Sequence, residues 1–258
     1  MPPGGDPFAP PTDDAARPPA VAAGTEAEAA ARDANPQYVL PLVVRIERAA
    51  PPQRTDALET AARAVLTFLA DPRSTDPDGE WTPLVEAWTD GRIRKVVRRA
   101  RGAEWTRAEA LPGITVTGTD AAPAHVRVFP PVPLDGWPKD LSRLQVSGTD
   151  LTDAEPPAPV EPGSRPILWL NPELEMTAGK AMAQVGHAAQ LAWWRLSEAQ
   201  RKAWADDDFR LAVRVASRAL WPALADSDRP VVRDAGFTEI APGSCTVVAD
   251  VPALGELT

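Results

Sequence analysis

Residues 176–189 read MTAGKAMAQVGHAA and follow the apolar run ILWL at 167–170. The apolar run predicts a buried strand, because a short continuous run of apolar residues is typical of a strand in a protein core. The longer stretch predicts a helix, with Thr177 placed as its N-terminal cap. Its many small residues suit close packing on a sheet. We therefore expect a strand followed by a helix that packs on the same sheet.

One face of this predicted helix is polar. Lys180, Gln184 and His187 lie at positions i, i+4 and i+7, so a helix of 3.6 residues per turn brings them onto one face. Taken singly, each has an ordinary explanation, such as a solvated lysine or a structural histidine. Their significance depends on whether a second polar segment meets this face.

Such a segment lies about fifty residues further on, where residues 231–248 read VVRDAGFTEIAPGSCTVV. The pattern predicts a strand, a loop and a second strand. Asp234 falls at the end of the first strand, and the glycines and proline that follow shape the loop. The sequence thus offers a carboxylate at a strand end as a candidate partner for the polar helix face.

Together, the two segments resemble the type II peptidyl-tRNA hydrolase family. The resemblance rests on M-x-x-G-K-x-x-A-Q-x-x-H-A after a strand and on D-A-G-x-T-x-I-x-P-G-S-x-T-V-V near the C-terminus, and it spans most of residues 165–258. It implies an α/β fold with a small mixed sheet flanked by helices, and hydrolysis of the ester that joins a peptide to tRNA.

Carried over by position, the resemblance also implies functional residues. The catalytic candidates are Lys180, His187, Asp234 and Thr238, and the supporting, substrate-binding candidates are Gly179 and Gln184. Two positions depart from the family pattern. Glu239 stands where the family commonly has glutamine, and Asn171 follows the first strand where an arginine usually ends it. The second departure bears on binding of the tRNA acceptor stem.

The N-terminal part of the chain predicts elements in a similar order. Apolar periodicity predicts helices over 57–70, 82–89 and 105–111, and strands over 38–46, 93–100, 114–117 and 125–129. Pro41, within the first of these strands, favours an edge position or an irregular start, because proline cannot donate to a sheet.

An internal repeat is indicated by two local alignments. Residues 97–105 align without gaps on 213–221, tryptophan on tryptophan, and 125–133 occupies the place of 245–252. We expect two tandem copies of a small mixed β-sheet flanked by helices. The first copy lacks the Gly-Lys turn and the histidine, so we expect it to be catalytically silent. Family members are typically homodimers, which implies either an intrachain pseudo-dimer or a homodimer.

Composition divides the chain into four predicted parts. Residues 1–37 have six acids, two bases and few large apolar side chains, so they predict a disordered tail. Residues 38–151 form the degenerate copy and 166–258 the catalytic copy. Between them, 152–165 is rich in proline and predicts a semi-rigid spacer.

The net charge of −9 is unusual for a protein that binds tRNA, because phosphates attract basic surfaces. The local distribution is more favourable: six bases fall within residues 92–101. We expect four of them, Arg94, Lys95, Arg98 and Arg99, to contact phosphates. The alternative is a solvated strand edge that charge protects from aggregation.

Several classes of site are not indicated. The two histidines and one cysteine have no ligand-like spacing, so we expect no metal, and no phosphate-cradling or dinucleotide motif predicts a cofactor. A single cysteine excludes an intramolecular disulfide and fits a reducing cytoplasm. There is no apolar run of about 18 residues and no secretory signal pattern, so we expect a cytoplasmic protein without a membrane span.

The hypothesis is therefore a hydrolase of peptidyl-tRNA. Asp234 would orient or deprotonate water, directly or through Thr238, and Lys180 would stabilise developing negative charge. Two alternatives stay open: a module that binds tRNA without turnover, and a deacylase of another aminoacyl-tRNA. Retention of the polar set in one copy, and its loss in the other, argues against a purely binding role.

Overall fold

The computed structural model of the protein describes residues 37–161, 163–234 and 240–254. Residues 1–36 of the predicted disordered tail and the loop residues 235–239, which include Thr238 and Glu239, lie outside these ranges. The described residues form two mixed sheets flanked by helices, which confirms the predicted fold class. The division into 38–151, 152–165 and 166–258 stays a prediction.

The first sheet has the strand order β2-β1-β4-β3, with a short strand β5 that also pairs with β1. Its strands are β1 (Tyr38–Arg45), β2 (Arg94–Ala100), β3 (Ile114–Thr117), β4 (His125–Val128) and β5 (Val132–Pro133). Its helices are α1 (Arg54–Ala70), α2 (Pro72–Thr75), α3 (Thr82–Thr89), α4 (Gly102–Glu109) and α5 (Lys139–Ser142). Strand β1 is parallel to β2 and antiparallel to β4.

The second sheet has the order β7-β6-β9-β8. Its strands are β6 (Ile167–Leu170), β7 (Ala212–Val215), β8 (Val231–Arg233) and β9 (Cys245–Asp250). Its helices are α6 (Ala178–Arg195), α7 (Glu198–Asp206) and α8 (Trp221–Ala225), followed by a 3-10 turn at Pro252–Leu254. Strand β6 is parallel to β7 and antiparallel to β9, so strand directions repeat those of the first sheet.

The register supports the predicted alignment of the two copies. Val97 of β2 pairs with Leu42, and Val213 of β7 pairs with Leu168, so the aligned valines occupy the same place beside the central strand. In each sheet a helix that begins with or includes the aligned tryptophan follows this edge strand.

The two sheets pack together through their long helices. Helix α1 packs against α6, α6 also packs on β2 of the first sheet, and α1 also contacts β7 of the second. One hydrophobic core runs through both halves. A Cβ on Gly186 of α6 would lie 3.0 Å from Cγ2 of Val65, so this glycine lets the helices approach closely. The two halves therefore pack against each other within one chain.

Two predicted helix boundaries shift because of tertiary contacts. Helix α1 begins at Arg54 rather than 57, since the Asp153 carboxylate accepts from the main-chain N–H of Thr55 at 2.7 Å. Helix α4 begins at Gly102 rather than 105, where the Gly102 N–H donates to Glu47 at 3.0 Å. Remote carboxylates satisfy N–H groups that a helix start leaves unpaired.

The prediction that Pro41 marks an edge strand is wrong, because β1 is central to its sheet. Pro41 lies between the residues of β1 that pair with β5 and those that pair with β4. Its carbonyl accepts from the N–H of Phe129 at 3.1 Å. At this gap the ladder does not need the N–H that proline lacks.

Candidate active site

The carboxylate of Asp234 is fixed where β8 ends. The main-chain N–H of Asp234 donates to Ser244 at 2.9 Å, and its carbonyl accepts from Gly243 at 2.7 Å. The residues just before β9 therefore lie beside Asp234. The side chain has a relative exposure of 5%. A carboxylate so little exposed requires polar partners, because burying it alone would be strongly unfavourable.

Helix α6 supplies these partners from two successive turns. Lys180 Nζ forms an ion pair with Asp234 Oδ2, and Gln184 Nε2 donates to the same oxygen at 2.9 Å. The Lys180 side chain has a relative exposure of 13%. The shared helix face predicted from the spacing of these two residues thus meets the predicted carboxylate. Low exposure strengthens both interactions, because little water screens them.

A fully buried threonine orients the glutamine. Thr246 Oγ1 donates to Gln184 Oε1 at 2.6 Å, and the carbonyl of Val232 lies 3.3 Å from the same hydroxyl. With Oε1 held in this way, the Gln184 amide presents its N–H to Asp234. The sequence analysis did not assign Thr246 to the site. The signal was present, since Thr246 is a polar residue within the otherwise apolar part of β9.

The start of α6 is fixed by two hydroxyl groups. Thr177 accepts from the N–H of Lys180 at 3.3 Å, which confirms the predicted cap. The N–H of Gly179 donates to Thr149 Oγ1 at 2.9 Å, and a Cβ on Gly179 would lie 2.8 Å from that oxygen. Gly179 is therefore buried against the N-terminal half, where a larger residue would not fit.

Residues 165–257 match the family model of peptidyl-tRNA hydrolase PTH2. This segment, called the PTH2 region below, contains Lys180, Gln184, Asp234 and Thr246. The match supports a hydrolase of the peptidyl-tRNA hydrolase type for this region. Residues 38–151 lie outside it, so the kinship of the N-terminal copy with the same family stays a prediction.

His187 of the PTH2 region, a predicted catalytic candidate, contacts the N-terminal half. Its Nδ1 lies 3.2 Å from Nζ of Lys95, which belongs to β2 of the other sheet. Burial lowers the pKa of His187 well below its usual range, and the positive charges of Lys95 and Lys180 lower it further. This contact arises because α6 lies between the two sheets, so one face of the helix meets both β8 and β2. His187 therefore lies at the interface between the halves, and its catalytic role stays a prediction.

The predicted phosphate-binding stripe on β2 is not a continuous open surface. Lys95 is 8% exposed. Arg98 donates to the carbonyls of Ser142 and Leu144, and its guanidinium lies 4.4 Å from the Trp137 ring centre. The burial of Lys95 argues against its predicted phosphate contact, whereas Arg98 is half-buried and its phosphate contact stays a prediction.

Arg99 and Arg94 are the other two residues predicted to contact phosphates. Arg99 donates to the carbonyl of Ser147 at 2.9 Å and to Gln145 Oε1. Arg94 is half-buried, and its carbonyl accepts from the Trp88 indole at 2.9 Å. The segment after α5 covers this edge of the sheet, and sequence spacing alone cannot reveal such a cover.

Asn171, which stands where the family usually has arginine, ties the second sheet together. Its side-chain N–H donates to the carbonyl of Cys245 at 2.8 Å. Its main-chain N–H donates to the carbonyl of Thr246 at 3.0 Å. The residue thus extends the pairing of β6 with β9 beyond the strand end.

Two kinds of feature are absent from the described ranges. Within 37–161, 163–234 and 240–254, no group of three or more His, Cys, Asp or Glu side chains is arranged to hold a metal ion. None of the helices in the same ranges combines the length and the apolarity that a bilayer crossing requires.

Proposed function

We propose that the PTH2 region hydrolyses the ester bond of peptidyl-tRNA, releasing the peptide and a free tRNA that returns to translation in the cytoplasm. The observation that carries this proposal is the contact of Lys180 and Gln184 with one oxygen of Asp234. A base and a cation held together at the edge of a sheet suit an attack by water on an ester carbonyl.

In the proposed reaction, Asp234 takes a proton from a water molecule whose oxygen attacks the ester carbonyl carbon. A tetrahedral intermediate forms, and the bond from this carbon to the ribose oxygen then breaks. The proton passes from Asp234 to the ribose oxygen, so the products are a peptide carboxylic acid, which ionises in water, and the ribose hydroxyl. Atoms and charges balance without a cofactor.

The ammonium of Lys180 interacts with two successive negative charges during the reaction. Before attack, its ammonium compensates the Asp234 carboxylate. Once Asp234 has taken a proton, this compensation is no longer needed and the ammonium stabilises the oxyanion. Such an interaction is stronger in the transition state than in the ground state, which is what accelerates a reaction. Gln184, held by Thr246, keeps the carboxylate in place.

The test is release of an N-acetylated aminoacyl group from tRNA by the purified protein. Lys180→Ala and Asp234→Ala should each lower turnover by about tenfold or more, since general base and electrostatic contributions are at least this large. Lys202→Ala is the matched control, because Lys202 is 74% exposed on α7 and pairs only with Asp206 among the described contacts. Circular dichroism would establish that each variant is folded.

The other outcomes identify the alternatives. Hydrolysis of free aminoacyl-tRNA, without hydrolysis of the N-acetylated form, would show a deacylase. Salt-dependent tRNA binding without turnover of either substrate would show a binding module. Turnover that neither alanine variant changes would place the reaction elsewhere in the chain.

A further inference from the structure

Lys95 is a buried lysine that links the two halves of the protein, and burial lowers its pKa well below the usual range. It lies on β2 of the N-terminal sheet, with its Nζ in contact with Oε1 of Gln190 and 3.2 Å from Nδ1 of His187. Both partners belong to α6, the helix that carries Lys180 and Gln184. Residues 180–190 of one helix therefore contact Asp234 at one end and the other sheet at the other end.

The side chain of Lys95 is held along its whole length. Its Nζ lies 4.8 Å from the ring centre of Trp88 and 3.4 Å from the carbonyl of Ile93. The aliphatic stem packs beside Gly186, where a Cβ would lie 3.4 Å from Cδ of Lys95. These contacts restrict both the position of the ammonium and the distance between β2 and α6.

The turn before β2 is itself under strain. Ile93 has a φ of 45°, a left-handed conformation that a β-branched residue rarely adopts. Its carbonyl is one of the acceptors of Lys95, and the next carbonyl, of Arg94, accepts from Trp88 at 2.9 Å. Strain of this kind persists only where surrounding contacts determine it. The turn, the tryptophan and the lysine thus form one rigid unit against α6.

The link is one-sided. In the alignment that pairs Val97 with Val213, the position equivalent to Lys95 in the C-terminal half is Leu211. Leu211 is an apolar core residue. In the reverse direction, α1 contacts β7 through Glu59, which accepts from the N–H of Val213 at 3.0 Å. Of these two contacts, the one made by Lys95 ends on the helix that bears the candidate catalytic groups, as the hydrogen bond from Gly179 to Thr149 also does.

We propose, building on the hydrolase function above, that Lys95 is a positioning residue for that reaction: the catalytically silent half holds α6 through His187 and Gln190 and thereby sets Lys180 and Gln184 against Asp234. Lys180 and His187 are seven residues apart, or about 10 Å along a helix axis. Over two turns a helix is rigid, so a rotation or shift at His187 reaches Lys180. Lys95 Nζ donates to Gln190 Oε1 and lies within hydrogen-bond distance of His187 Nδ1, and donation to Nδ1 requires the His187 tautomer with its proton on Nε2.

The first test is kinetic and uses the full-length chain. Lys95→Met keeps the length and the apolar stem of the side chain but removes the donor. We expect kcat to fall by about tenfold or more with KM changed less than about twofold, because a displacement of about 1 Å in a site can reduce the rate by up to about 100-fold. Lys202→Met, the same substitution at an exposed lysine, should change neither constant.

The second test does not depend on activity. The chain has two histidines, so nitrogen-15 spectra of the imidazoles separate His187 from His125. In the parent we expect His187 to be neutral with Nδ1 unprotonated, and in Lys95→Met we expect its signals and the side-chain amide signals of Gln184 to move. The His125 signals should stay in place, since Thr117 is its described partner.

The outcomes separate the two proposals. A parent without turnover overturns the hydrolase function, whereas a shift of the Gln184 amide in Lys95→Met still supports the link. Unchanged kcat together with an unchanged Gln184 signal overturns the link. If Lys95→Met does not fold, Lys95→Gln retains an N–H donor and should preserve more turnover than Lys95→Ala. Protonation of Nδ1 in the parent would by itself contradict donation by Lys95.

Discussion

The two sheets place a carboxylate at corresponding sites but attach it to different elements. In the C-terminal half, Asp234 follows the strand β8, and the helix supplies Lys180 and Gln184. In the N-terminal half, Asp56 lies in the first turn of α1 and accepts from the main-chain N–H groups of Thr119 at 2.9 Å and Ala124 at 2.7 Å. Those residues belong to the loop between β3 and β4.

The difference shows how one topology serves two purposes. Asp56 is 3% exposed, and each of its oxygens accepts from a separate amide, so it closes the loop onto the helix. In the C-terminal half the loop contributes the acid and the helix contributes a cation and an amide, which leaves groups suited to proton transfer. When the helix bears the carboxylate, as with Asp56, it holds the loop in place. When the carboxylate follows the strand and the helix bears the lysine, as with Asp234 and Lys180, the arrangement suits an active site.

The strongest test of this comparison changes each aspartate to asparagine. Asp234→Asn should lower turnover by about 100-fold or more, because it removes the base. Asp56→Asn should leave turnover within about twofold but lower the free energy of unfolding by about 1–3 kcal/mol, since the amide NH₂ would face an N–H donor. Turnover assays and urea unfolding measure the two effects. Similar losses of turnover in both variants would contradict the division of roles.

A second test concerns the room that Asp56 needs. A Cβ on Gly118, which directly follows β3, would overlap the Asp56 carboxylate. Gly118→Ala should therefore lower the free energy of unfolding by about 1–3 kcal/mol, as overpacked sites do. Gly91→Ala is the control, because its Cβ would come no closer than 3.5 Å to the nearest atom and should change stability by less than about 0.5 kcal/mol. Equal stability of the two variants would show that the Asp56 carboxylate can shift without loss of stability.

A third test uses the pH dependence of stability to probe His187, the histidine at the contact between the two halves. The pKa of His187 is lowered by burial and by the charges of Lys95 and Lys180, whereas an unfolded histidine titrates near pH 6.5. Below that pH the unfolded chain binds a proton that the folded chain resists. The contribution of the neutral His187 to stability is thus fully present above about pH 6.5 and is lost on acidification. The free energy of unfolding should fall by up to about 1.4 kcal/mol per pH unit.

Urea unfolding between about pH 5 and 8 measures this slope. His187→Gln should show a shallower decline than the parent. Parallel curves for the parent and His187→Gln would exclude a buried neutral imidazole at the interface.

The smallest expected effect is at the opposite contact between the halves. Glu59 of α1 accepts from the N–H of Val213 and pairs with Arg214 at 2.8 Å. Burial raises the pKa of Glu59, so its charge is only weakly favoured there. Glu59→Gln keeps a carbonyl acceptor and should reduce stability by less than about 1 kcal/mol, with turnover unchanged. A loss of turnover as large as in Lys95→Met would show that both contacts between halves set the site.

Local pattern determined much of this protein in advance. The strand at 167–170, the Thr177 cap and the helix at 82–89 follow from short-range periodicity and capping, and the structure has them where predicted. The common helix face of Lys180 and Gln184 follows from 3.6 residues per turn. The prediction of a repeat rests on the same order of elements in both parts of the sequence.

Tertiary structure decided which side chains meet. Lys180 and Asp234 are 54 residues apart, and the sequence could name them as candidates but could not bring them together. It gave no reason to join His187 to Lys95 rather than to Asp234, nor to place Arg98 and Arg99 on the carbonyls of 142–147. Helical and strand periods specify the face on which a side chain lies. The packing of one sheet's helix over the other sheet specifies what that face touches.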